Sequence, residues 1–120
     1  MIECLIVGLG GAIGAVGRYL IGLFPLDPES GFPVKTLLIN VAGAFVIGII
    51  GALAAKDAMS PRMVMFIKVG ICGGFTTFSS FALETHQLIG KGQSFTALMY
   101  MALSIFLGLV AVWTADRMIG

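Results

Sequence analysis

The chain has 120 residues, 58% of them hydrophobic and 11% charged, with a formal net charge of +1 and a mean hydropathy of +1.06. Soluble domains carry about 25% charged residues, and a domain this short keeps much of its surface exposed, so the apolar surplus excludes a water-soluble fold. The near-neutral balance offers no basic face for nucleic acid and no acidic tail.

A transmembrane helix needs about 20 mostly apolar residues to cross roughly 30 Å of hydrocarbon. Four stretches qualify, which predicts an all-α integral membrane protein: one four-helix transmembrane domain over residues 1–120, with helices at about 4–24, 34–55, 62–89 and 94–116. Met1-Ile2-Glu3 lacks the positive n-region of a cleavable signal peptide, so the first helix is expected to be its own targeting signal. Gly8, Gly10, Gly11, Gly14, Gly17 and Gly22 crowd that helix, and Gly10-x3-Gly14 is a small-xxx-small contact of the kind that lets helix backbones approach closely in lipid. The same run fails as a dinucleotide-binding fingerprint, because Ile13 breaks the GxGxxG spacing and no acidic residue follows on a second strand. Arg18 ends the run; it either snorkels to the interface or serves a site.

Three prolines and two acids in residues 25–33 make the first loop. The second span carries no charge, and Asn40 lies one turn after Thr36 on the same face. A buried amide must find partners, either across a helix contact or in a site. Ser60-Pro61 reads as the N-cap and first residue of the third span. That span holds the most unusual stretch, Gly73-Gly74-Phe75-Thr76-Thr77-Phe78-Ser79-Ser80-Phe81. Two glycines followed by four hydroxyl residues invite a break in the helix, which membranes tolerate only where it is buried in protein or lines a cavity. Phe78 and Phe81 share a face, as a packing stripe or as ring edges turned toward an anion path. Gly90 to Gln93 link to the fourth span, where Tyr100 and Ser104 sit one turn apart, both hydrogen-bond donors. Cys4 and Cys72 have no CxxC or metal-ligand spacing and read as small packing residues.

With four spans, both termini and the second loop share one side. Lys56, Arg62, Lys68 and Arg117 fall there, against Arg18, Lys35 and Lys91 on the other. Orientation follows Lys/Arg bias, and four against three is almost none. Insertion both ways, with an inverted pair of copies, is one outcome; a weak bias resolved by partners or lipid is the other.

Three motifs in chain order now match a known family. Gly10-Gly11-Ala12-Ile13-Gly14-Ala15 leading to Arg18-Tyr19, Thr36-Leu37-Leu38-Ile39-Asn40, and Gly70-x-Cys72-Gly73-Gly74-Phe75-Thr76-Thr77-Phe78-Ser79-Ser80-Phe81 resemble the fluoride channels of the Fluc/CrcB family. The glycine run is weak evidence, whereas GGxTTFSxF after TLxxN is highly specific. Ser80 stands where the family commonly has threonine and Phe75 where it often has leucine. The resemblance implies a fluoride-selective passive channel in the inner (plasma) membrane, built as an antiparallel, dual-topology homodimer with two pores. It implies that Phe78 and Phe81 meet the ion with their ring edges, that Asn40 donates its amide, and that Tyr100 and Ser104 are polar wall residues. Thr77, Ser80 and Glu84 would continue a polar track, and Arg18 would attract the anion or secure the helix end. Backbone carbonyls of Gly73 and Thr76 from both subunits would hold a structural sodium ion on the two-fold axis. A small multidrug transporter, the nearest rival, needs an acid deep in the first helix, and only Glu3 stands near it. An assembly subunit would not explain Asn40 beside a hydroxyl-rich break. An enzyme finds no support in His86, the one histidine, which has no nucleophile or metal-ligand pattern beside it.

Overall fold

The computed structural model describes all 120 residues, and they form an all-helical bundle with four helices long and apolar enough to cross a membrane. The first crossing is α1, Ile2–Gly22, and the second is α2, Val34–Ala55. The third crossing, Pro61–Gly90, is built in pieces: α3 (Pro61–Val64), a π-helix (Met65–Cys72), a single turn α4 (Gly73–Phe75), and α5 (Phe78–Gly90). The fourth is α6, Ser94–Ile119. The first helix therefore begins and ends two residues earlier than hydropathy places it. The last runs to Ile119, where Lys56 Nζ donates to the Ile119 carbonyl and ties it to the end of α2.

The two halves of the third crossing pack on different partners. The π-helix and α4 lie along α1, while α5 lies against α6 and α2, and α2 and α6 form the most extensive pairing in the bundle. Glycine makes the first of these contacts. A Cβ added to Gly10 would stand 2.9 Å from the Gly70 Cα and 2.5 Å from the Phe66 carbonyl oxygen, both backbone atoms that cannot swing aside. Gly74 meets the backbone of Gly11 and Ala15 just as closely. Between α2 and α6, a Cβ on Gly48 would lie 2.9 Å from that of Ala115. Small residues thus set the spacing of both seams.

Ser60 opens the third crossing as expected: its hydroxyl accepts from the Met63 N–H at 3.2 Å and Pro61 takes the first helical position. Eight residues of π-helix follow, which the sequence reading did not foresee. Such wide turns are rare, appear mostly inside α-helices, and change which way every later side chain faces.

Candidate functional site

The helix breaks two residues beyond the glycine doublet. Gly73 stays helical (φ −63°, ψ −37°), and the extended residues are Thr76 (φ −82°, ψ 156°) and Thr77 (φ −148°, ψ 114°). The sequence places the break at Gly73–Thr76, and the structure puts it at the far end of that stretch, on Thr76 and Thr77. The reason is local: the β-branched threonines favour extended backbone, while Gly74 is needed for contact with α1.

Asn40 fills the gap in the hydrogen-bond ladder. The Thr77 N–H donates to Asn40 Oδ1 at 2.8 Å, and Asn40 Nδ2 donates to the Thr77 carbonyl at 3.1 Å. The side-chain amide thereby imitates a neighbouring strand and satisfies both backbone groups of one extended residue, which hydrocarbon alone would leave bare at a cost of several kcal/mol each. Nδ2 has a second hydrogen to offer. Thr77 then caps α5, accepting from the Ser80 N–H at 3.1 Å and donating to the Ser80 hydroxyl at 3.1 Å.

The carbonyls of Gly73 and Thr76 are among those that lose their usual partners here. The Thr77 N–H, which would close on the Gly73 carbonyl in a continuous helix, goes to Asn40, and the Ser80 N–H, which would close on Thr76, goes to the Thr77 hydroxyl. Gly73 is exposed with nothing within 4 Å of its absent side chain. Carbonyl oxygens of this kind are donors that a hard cation accepts, and no group of three His, Cys, Asp or Glu side chains gathers anywhere in the chain.

A cavity of about 390 Å³ opens beside the break, lined by Asn40, Gly43, Ala44, Ile47, Cys72, Thr76, Thr77, Phe78, Phe81, Ser104 and Ile105. Phe78 is 79% exposed at its mouth. Its ring lies 5.8 Å from that of Phe81, which meets Tyr100 edge-on at 5.0 Å, and Tyr100 in turn meets Phe32 at 5.6 Å. The Ser104 hydroxyl is buried without any hydrogen-bond partner. Most buried polar groups are paired, so an orphan on a cavity wall points to something the cavity takes in.

On the other face of the break a second cleft, about 310 Å³, brings together Arg18, Tyr19, Lys35, Thr36, Thr77, Ser80 and Glu84. Arg18 Nε donates to the Gly74 carbonyl at 3.2 Å, one turn ahead of Thr77, and Lys35 Nζ donates to the Gly22 carbonyl at 3.1 Å. Glu84 receives the Thr36 hydroxyl at 2.7 Å on one oxygen and the Tyr100 hydroxyl at 2.8 Å on the other. Tyr100 is fully buried, so this carboxylate pins α2 and α6 to α5.

The structure thus brings Asn40, Phe78, Phe81 and Ser104 around one cavity and Arg18, Ser80 and Glu84 around the adjoining cleft, with Thr77 in the wall of both. Tyr100 lies behind Phe81 and reaches Glu84 without lining either. Three contributors were not singled out by sequence: Thr36 as a partner of Glu84, Lys35 at the cleft rim, and Cys72 in the cavity wall. Thr36 was within reach, since it shares a face with Asn40. Cys72 is buried and tightly packed, yet it also borders the cavity.

A multi-pass membrane protein whose discontinuous helix separates an aromatic cavity from a polar, cation-rimmed cleft has the architecture of a small-ion pathway. The chain belongs to the CrcB family: the family model described as CrcB-like protein, Camphor Resistance (CrcB), matches residues 5–115. Its relatives include a protein of Flavobacterium psychrophilum, 43% identical over 90% of this chain and 89% of that protein, and one of Chlorobium luteolum, 42% identical over 94% and 88%. A third, from Shewanella sp., is 40% identical over 99% of this chain and 97% of its own length. Each of the three is named fluoride-specific ion channel FluC.

Proposed function

We propose that this chain is a fluoride-selective passive channel, not an enzyme, that lies in the inner (plasma) membrane and lets cytoplasmic fluoride escape. The observation that carries the reading is the cavity where Phe78 and Phe81 stand beside the orphaned Ser104 hydroxyl and the Asn40 amide. A small anion leaving water there would exchange hydration for the electropositive ring edges, the Ser104 O–H and the unused Asn40 N–H. No fixed cation lines this cavity, so nothing in it binds the ion hard enough to stop it, while Arg18 and Lys35 at the adjoining cleft would raise the local anion concentration. Fluoride enters cells as neutral HF, ionises and is trapped, and a negative interior would drive it out with no coupled proton or ATP.

The assembly that supports this reading best is an antiparallel homodimer with two pores and dual topology. Phe78 is too exposed to enclose an ion within one copy, and the near-equal Lys/Arg split gives neither orientation an advantage. Two copies related by a two-fold axis would present four carbonyls from Gly73 and Thr76, enough to hold a sodium ion that would neutralise their dipoles and fasten the interface. The test is anion efflux from liposomes holding the purified protein. Fluoride should leave and chloride should not; equal release of both, or proton-coupled export of a cationic drug, ends this reading.

A further inference from the structure

Of the charged side chains within the four crossings, all but two have a partner. Glu3 meets Arg62 and the N-terminus, Arg18 and Lys35 hold carbonyls, Glu84 holds two hydroxyls, and Arg117 lies over the Trp113 ring at 5.7 Å. The exceptions are Lys68 in the π-helix and Asp116 near the end of α6. Both line one groove of about 590 Å³ with Ile47, Gly51, Leu109 and Trp113, and they do not close an ion pair on each other. Lys68 stands seven residues past Pro61 in the third crossing, and Asp116 stands three residues before the end of α6 at Ile119. An unpaired charge on the wall of a groove between membrane-crossing helices by default marks a pathway.

The groove's place along α2 says which pathway. Thr36 lines the polar cleft; Asn40, Gly43, Ala44 and Ile47 line the aromatic cavity; Ile47, Gly48, Gly51 and Ala52 line the groove. Cleft and cavity share Thr77, and cavity and groove share Ile47. From Thr36 to Ala52 this wall runs about 24 Å, most of the roughly 30 Å hydrocarbon thickness. Three successive openings thus follow one helix from the side of the first loop to the side of the termini. The middle one has no fixed charge, and each end has cationic side chains.

We propose that the groove at Lys68 and Asp116 is the second mouth of the ion path, Lys68 drawing the anion in and Asp116 at the rim limiting that attraction. The inference rests on the channel reading above. A passive pore must fill from either end, and a cation within a low-dielectric groove concentrates anions there at low ionic strength. The π-helix carries Lys68, so its facing depends on that irregular stretch.

The test is fluoride efflux from liposomes at two ionic strengths set with an impermeant salt, for wild type, Lys68→Gln, Lys68→Arg and Asp116→Asn. At about 10 mM, where the Debye length is about 30 Å, Lys68→Gln should lose several-fold in rate, Lys68→Arg should stay near wild type, and Asp116→Asn should rise. At about 1 M, where it is about 3 Å, the rates should converge. A Lys68→Gln rate equal to wild type at low salt, or reduced by the same factor at both salts as a packing role requires, overturns the inference alone. The opposite sign expected for Asp116→Asn keeps the result independent of any folding damage from Lys68→Gln. A wild type that releases no fluoride overturns the channel reading and takes this inference with it.

Discussion

Asn40 and Phe78 show how much two side chains decide at one break. Asn40 pairs with both backbone groups of Thr77, so Asn40→Leu should strand an N–H and a carbonyl in an apolar site, at about 1–3 kcal/mol for each. The expected result is a lower melting temperature in detergent together with lost flux, and a variant as stable as wild type would mean that water satisfies Thr77 instead. Phe78→Ile and Phe81→Ile keep apolar bulk but remove the electropositive ring edge. Fluoride efflux should collapse for either while elution from a sizing column stays unchanged. Normal conduction by both variants would leave these rings as packing residues, which the 5.0 Å contact of Phe81 with Tyr100 also allows.

At the scale of the element, the third crossing is two half-helices serving two seams. Its first half fits α1 only because Gly10, Gly70 and Gly74 let the backbones touch. Gly10→Ala should therefore destabilise the bundle by about 1–3 kcal/mol, the usual penalty for overpacking, whereas Gly8→Ala, with nothing within 4 Å, should be tolerated. Thermal unfolding in detergent compares the two directly, and equal stability would contradict the close seam. At the break the proposed ligands are backbone atoms. Thr76→Ser should accordingly be mild, while a bulky residue at the exposed Gly73 should weaken the proposed dimer on a sizing column without unfolding the single copy.

For the whole molecule the balance of Lys and Arg bears on which way it faces. Four basic residues on one side against three on the other give the Lys/Arg rule little to act on, and the proposed dual topology has a direct test. A cysteine replacing Lys91, in the loop between α5 and α6, should be labelled by a membrane-impermeant maleimide from both sides of the membrane. Two or three added lysines in the loops of one side should bias insertion and reduce function when that variant is expressed alone. Labelling from a single side would refute dual topology and with it the antiparallel pair.

The sequence by itself determined the membrane class, the number of crossings, the Ser60 cap and the interruption of the third span, because these rest on local composition, spacing and length. It also brought Arg18, Asn40 and Ser104 of the cleft and cavity walls into view, since polar groups inside an apolar span are conspicuous, while Thr77, Ser80 and Glu84 came from the family resemblance. Only the tertiary structure decided where in the Gly73–Thr77 stretch the break falls, at Thr76–Thr77 beyond both glycines. That choice depends on α1 claiming Gly74 and on Asn40, 37 positions away, accepting the Thr77 N–H. The join of Glu84 to Thr36 and Tyr100, the π-helix, and the facing of Lys68 across a groove from Asp116 were likewise beyond the sequence. Each is set by contacts between helices far apart in the chain, and helical periodicity shows which residues share a face but not which neighbour that face will meet.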